Sequence, residues 1–168
     1  MRQWQDRPWR PTLNPAHPPL SLRPAYGADA PAMATLSREL IERGLVWRYT
    51  PQRLAALIAE PETGAAVACD GSGIQGFAMM QFGDEKAHLM LMCVRAEQQR
   101  RGIGRRLIEW QLACARVAGI VSVTLELRAD NAAALAFYRD LGFVETSLLG
   151  GYYGGEIAAR RMARALRS

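Results

Sequence analysis

Apolar residues recur along this chain with two periods, and the alternation between them predicts its elements. Ser21 to Pro24 is short enough for a first strand. From Ala28 to Arg43, Met33, Leu36, Leu40 and Ile41 share one helical face, with Gly44 as the stop. Thr50-Pro51 opens a second helix, Thr as N-cap and Pro in the first turn, with Leu54, Leu57 and Ile58 apolar and Pro61 beyond its end. Ala65–Cys69 and Ile74–Phe82 read as strands around the turn Asp70-Gly71-Ser72-Gly73, and Ala87–Val94 as a third strand of the same meander. The period then lengthens. Gly102 to Ala118 is expected to be helical, with a stripe through Ile103, Leu107, Trp110, Cys114 and Val117. Ile120 to Arg128 alternates, Val123, Leu125 and Leu127 against Thr124, Glu126 and Arg128. Asp130 or Asn131 caps a further helix that Gly142 ends, and two strands follow, near Phe143–Leu149 and Ala158–Ala165.

This order predicts an α/β single domain over residues 20–168, preceded by an irregular tail over residues 1–19. The tail holds five of the nine prolines, with Trp4 and Trp9, and has no period. At 168 residues and 49% hydrophobic, the chain is large enough to bury one core. No apolar run approaches the ~20 residues of a membrane helix, and the arginine-bearing N-terminus has no apolar stretch of the kind a secretory signal needs. Cys69, Cys93 and Cys114 are widely spaced, as expected of free thiols in a reducing compartment, so the expected location is cytoplasmic. With only His17 and His88 as histidines, no histidine-based metal site is expected. The net charge of +5 is almost all arginine, Lys86 being the one lysine. That bias is compositional or serves phosphate, which guanidinium groups hold well. No basic stripe interleaved with aromatics is present, so no direct nucleic-acid partner is expected.

The sharpest chemical element is Gln99-Arg100-Arg101-Gly102-Ile103-Gly104, between a strand and a helix. A helix start offers unpaired N–H groups to an anion, and glycines let phosphate oxygens approach the backbone. A P-loop would need Lys-Ser/Thr after its glycines, and a dinucleotide loop a third glycine where Leu107 stands. From spacing alone the segment is a pyrophosphate cradle or a plain loop.

The six residues resemble the Q/R-x-x-G-x-G/A motif of the GNAT acetyltransferase superfamily, and the likeness runs from about Ala87 to Phe143. It implies a mixed, mostly antiparallel sheet flanked by helices, with a V-shaped cleft between the fourth and fifth strands. It also implies acetyl-CoA as co-substrate and no metal. The backbone of Gln99, Arg100, Arg101, Gly102, Ile103, Gly104 and Arg105 would then hold the pyrophosphate, and Met92, Cys93 and Val94 would meet the pantetheine arm as an added strand does. Leu125-Glu126-Leu127-Arg128, Asn131, Tyr138 and Leu141-Gly142-Phe143 resemble the RimI-like ribosomal-protein N-acetyltransferases, which acetylate protein N-termini. That likeness implies Glu126 as general base, Tyr138 as general acid, Asn131 near pantetheine, and Tyr152-Tyr153 as a substrate-binding pair in a loop between the last two strands. Four glycines around that pair, and Ile157 where an acidic residue is usual, depart from the pattern. Met1 to about Thr63 carries little specific resemblance. In such folds that region shapes acceptor choice.

Read as residues alone, Glu126 is a solvated strand residue or a base, Tyr138 a packing residue or an acid, Asn131 a helix cap, and His88 structural. The expected function is N-acetyl transfer to a peptide or protein N-terminal amine, by a monomer or homodimer. The alternatives are a small-molecule amine as acceptor and a catalytically silent acyl-CoA-binding module.

Overall fold

The computed structural model describes residues 19–153 and 157–166, with the side chains of Tyr152 and Tyr153 outside the description. The proline-rich stretch 1–18 lies outside it as well. The strands are β1 Ser21–Pro24, β2 Thr63–Asp70, β3 Gly73–Phe82, β4 Lys86–Val94, β5 Ser122–Arg128, β6 Val144–Tyr153 and β7 Ile157–Ala165. The helices are α1 Ala30–Leu40, α2 Pro51–Ala59, α3 Ile103–Val117 and α4 Ala132–Asp140. These strands form one sheet in the order β1-β2-β3-β4-β5-β7-β6, antiparallel throughout except for the β4–β5 pair.

Local chemistry sets several boundaries as the sequence predicts. Thr50 caps α2, its side chain accepting from the Arg53 N–H at 3.3 Å. Asn131 caps α4, its Oδ1 accepting from the Ala134 N–H at 3.0 Å.

Two hydrophobic clusters lie on opposite faces of the sheet. One packs Met33, Ala34 and Leu36 of α1 and Leu54 of α2 on Val67, Phe77, Met79, Leu91 and Cys93. The other packs Ile103, Leu107, Ile108 and Leu112 of α3 and Tyr138 of α4 on Ala66, Ala78, Leu89, Val123, Leu125, Leu127 and Met162.

The stripe expected on α3 is buried only in its first half. Ile103, Leu107, Ile108, Gln111, Leu112 and Ala115 face the sheet, whereas Val117 is 91% exposed and Cys114 lies in solvent. Gln111 is the cause. Its side-chain amide donates to the carbonyls of Gly64 at 3.0 Å and Ala78 at 3.1 Å, so a polar residue satisfied by backbone sits in the middle of the apolar face.

Candidate active site

The site grows out of the β4–β5 joint. Only Lys86, Ala87 and His88 pair with Ser122, Val123 and Thr124. Met79 stands opposite Leu91 and Met80 opposite Leu89, which makes Met90 an extra residue on β4. A bulge of this kind bends its strand. It also moves successive odd-numbered side chains across the sheet: Ala87 and Leu89 belong to the α3 side, Leu91 and Cys93 to the α1 side. From Leu89 onward β4 has no β5 partner, so the two strands part as a V and leave the inner edge of β4 to other hydrogen-bonding groups.

At the end of that edge the chain turns through a 3₁₀ turn, Ala96–Gln98, into α3. Arg95 ties the corner to β3, its N–H donating to the Gln75 carbonyl at 2.8 Å and its Nε to the Ile74 carbonyl at 2.9 Å. Gln99 folds back to donate to the Val94 carbonyl at 3.0 Å. Arg100 then takes a left-handed φ of 63°, which costs a non-glycine residue on the order of 1–3 kcal/mol. Gly102 follows at φ 80° as the N-cap of α3. The first helical bond runs from the Arg106 N–H to the Gly102 carbonyl at 3.1 Å, so the amides of Ile103, Gly104 and Arg105 precede it and have no carbonyl one turn back within the helix. The guanidinium groups of Arg100 and Arg101 are exposed, and that of Arg105 is half-exposed beside Glu109.

The two glycines of the loop have different reasons. A Cβ on Gly102 would meet nothing within 4 Å, so its φ is what favours glycine and open space lies in front of it. A Cβ on Gly104 would lie 3.3 Å from the Phe137 ring and 3.7 Å from Val94. Gly104 therefore lets α3 approach α4. This close packing is a reason for glycine here beyond the one expected from the loop.

On β5 the burial pattern alternates as predicted. Val123, Leu125 and Leu127 face α3 and α4, and Glu126 takes the other face, two residues past the last β4–β5 pair. The cluster under α1 and α2 takes no residue from β5, β6 or β7, so this face is uncovered by it. The Glu126 side chain is only 9% exposed and both its oxygens are engaged. Oε1 accepts from Arg161 Nε at 2.8 Å, and Oε2 lies 3.0 Å from His88 Nε2. From sequence alone His88 reads as structural and Arg161 carries no signal. What links them is the register, which sets Arg161 opposite Glu126 and His88 opposite Thr124.

Tyr138 lies on the other face. It is buried, edge-on to Phe137 at 5.1 Å and to Phe143 at 5.6 Å between ring centroids. Asn131 spends its side-chain oxygen on the α4 cap. Cys93 presents its thiol to the α1 cluster, and burial pushes that thiol up to about 12, against a slight lowering by Arg95. A neutral buried thiol is no nucleophile. Tyr152 and Tyr153 belong to β6, with Tyr153 opposite Ile157, so their backbone continues a strand where a loop was expected.

A further residue escaped the sequence reading. Glu42 is buried beyond the end of α1, accepting from Ser37 Oγ at 3.0 Å and from the N–H groups of Arg48 at 2.6 Å and Tyr49 at 3.2 Å. It shapes the segment from Glu42 to Thr50 that carries Trp47, over which Arg38 stacks at 4.8 Å.

A seven-stranded sheet with one parallel joint, splayed past His88 and followed by a loop that ends in helical amides, is the arrangement that the acetyltransferase resemblance implied. The model of the acetyltransferase (GNAT) domain matches residues 61–145, and the chain belongs to that family. It is 33% identical over 139 residues to the N-alpha-acetyltransferase RimI of Mycobacterium tuberculosis, covering 80% of this chain and 85% of that one. It is 42% identical over 77 residues to the [ribosomal protein bS18]-alanine N-acetyltransferase of Salmonella typhimurium, covering 46% of this chain and about half, 52%, of that relative's length. The crystal structure of the ribosomal-protein-S18-alanine N-acetyltransferase from Escherichia coli superposes with a TM-score of 0.75 at 26% identity, over 89% of this chain and 95% of that one.

Proposed function

We propose that this protein transfers the acetyl group of acetyl-CoA to the α-amine of a peptide or protein N-terminus, in the cytoplasm. The observation that carries the reading is one of placement. Among the described residues the inner edge of β4 beyond His88 pairs with no strand and leads through the Ala96–Gln98 turn to the first-turn amides of α3, and the Glu126 carboxylate stands just past the apex of the same gap. The residues fit the co-substrate. Extended pantetheine suits the strand edge, and a pyrophosphate suits the amides together with Arg100, Arg101 and Arg105. Similarity to proteins named as N-alpha-acetyltransferases supports the acceptor class.

Bound acetyl-CoA supplies an activated acetyl thioester. Glu126 receives the amine proton as the nitrogen–carbon bond forms, and Tyr138 gives a proton to the sulfur as the carbon–sulfur bond breaks. The high proton affinity of the Cys93 thiol favours direct attack by the amine over an acyl-cysteine route. An α-amine with a pKa of about 8 is ~10% neutral near pH 7, whereas lysine at about 10.4 is below ~0.1% neutral, so a modest base suffices for an N-terminus.

The test uses one peptide with a free N-terminus and an internal lysine, and its N-blocked twin, followed by mass spectrometry with acetyl-CoA. Acetylation at the α-amine of the first alone is the expected result, with a rate that rises towards a plateau near pH 8. Equal acetylation of the blocked twin at lysine would refute the N-terminal reading.

A further inference from the structure

Glu126 is held from two sides, and neither of its holders has a part in the scheme above. Arg161 donates to Oε1 through Nε at 2.8 Å. An arginine facing a carboxylate favours two parallel N–H···O bonds, which would turn both oxygens onto the guanidinium. Here Oε2 is turned instead to His88 Nε2, at 3.0 Å.

The imidazole is itself fixed. His88 Nδ1 lies 3.0 Å from Thr124 Oγ1, on the strand face that also bears Glu126. A carboxylate oxygen accepts, so the tautomer that suits this contact carries its hydrogen on Nε2. In the neutral ring Nδ1 then accepts, and the Thr124 hydroxyl donates to it. Gln81, opposite His88 on β3, carries no charge. The chain Thr124–His88–Glu126–Arg161 thus spans the apex of the cleft on three strands.

We propose that His88 is a positioning residue for Glu126. Its Nε2–H, aimed by Thr124, keeps the carboxylate out of bidentate pairing with Arg161 and leaves the remaining lone pairs turned towards the cleft. The proposal rests on the reading of Glu126 as the base.

The experiment is a double-mutant cycle on the full chain, with an N-terminal peptide and acetyl-CoA. His88→Ala is expected to lower kcat roughly 10–100-fold, as loss of outer partners does in other preorganised sites, with acetyl-CoA Kd and Tm unchanged. His88→Gln, which keeps a donor, recovers most of the loss. In a Glu126→Gln background, His88→Ala adds nothing. The two histidines of the chain make an imidazole ¹⁵N spectrum simple to assign, and His88 should show hydrogen on Nε2 in the wild type and lose that preference in Thr124→Val. Wild-type kcat in His88→Ala beside an impaired Glu126→Gln would overturn the positioning role. So would a full additional loss in the double mutant, or a fall in Tm and acetyl-CoA affinity matching the fall in kcat. Full activity of Glu126→Gln would instead refute the assignment of the base.

Discussion

β3 and β5 lie on either side of β4 and solve different problems. β3 is buried at seven successive positions, from Ile74 to Met80, because α1 covers one of its faces and α3 the other. β5 alternates buried and half-buried along its whole length, because among the described residues helices cover one face only. A strand sandwiched between layers holds the molecule together, and a strand with one open face has room for chemistry there. Glu126 sits on that open face, and no ionisable side chain appears among the buried positions of β3.

The sharpest way to break the comparison is to exchange the effects of substitutions in the two strands. Glu126→Gln should lower kcat 10²–10⁴-fold, about 3–5 kcal/mol of barrier, with a change in Tm of a few degrees at most. Phe77→Ala, at a fully buried β3 position, should cost about 3–5 kcal/mol of stability by chemical denaturation, and activity should fall only with the folded fraction. A catalytic effect from Phe77 in fully folded protein, or a stability effect of that size from Glu126, would dissolve the distinction.

A smaller effect is expected at Arg100, where local strain and a proposed phosphate contact coincide. Arg100→Gly should relieve the left-handed backbone and raise stability by about 1 kcal/mol or less. The same variant should bind acetyl-CoA more weakly by calorimetry, having lost a cation. Weaker binding without a gain in stability would mean that the loop is not strained as described.

An effect that appears only at alkaline pH belongs to Cys93, on the α1 side of β4. Its thiol is raised by burial from 9.0 to about 12, so the fold favours the protonated form. That contribution is complete below pH 9 and is lost as pH rises from 9 towards 12. Cys93→Ala should be less stable than wild type at neutral pH because of the cavity, and the gap should narrow progressively above pH 9. A constant gap from pH 7 to 11 would show that the thiol is not desolvated.

What was legible in the sequence follows the same division. Strand alternation placed Glu126, and cap chemistry placed Thr50 and Asn131, because each depends on neighbours in the chain. The turn into α3 at Gly102 was legible because glycines and a helix start leave a local signature. His88 was not, since its role depends on a parallel register between residues far apart in sequence. The close approach of Phe137 to Gly104 was not legible either, again a distant contact. The second half of the stripe on α3 was misplaced because Gln111 looks polar in sequence and is satisfied only by carbonyls on β2 and β3. The bulge at Met90 left no sequence signature, although it bends β4 beside the gap.

The sheet has outer edges at β1 and β6 and, because of the gap, a further inner edge along β4. Open strand edges invite pairing between molecules, and each of these is guarded differently. β1 is four residues long and ends in Pro24, which has no N–H to offer. β6 changes register between Glu145 and Ser147 and again between Leu149 and Tyr153, so it presents no long straight template. The inner edge is guarded by geometry: an intruding strand would have to enter a wedge that closes at His88 and Thr124. The molecule can therefore keep one edge of its sheet unpaired for function while giving other copies no straight edge on which to begin aggregation.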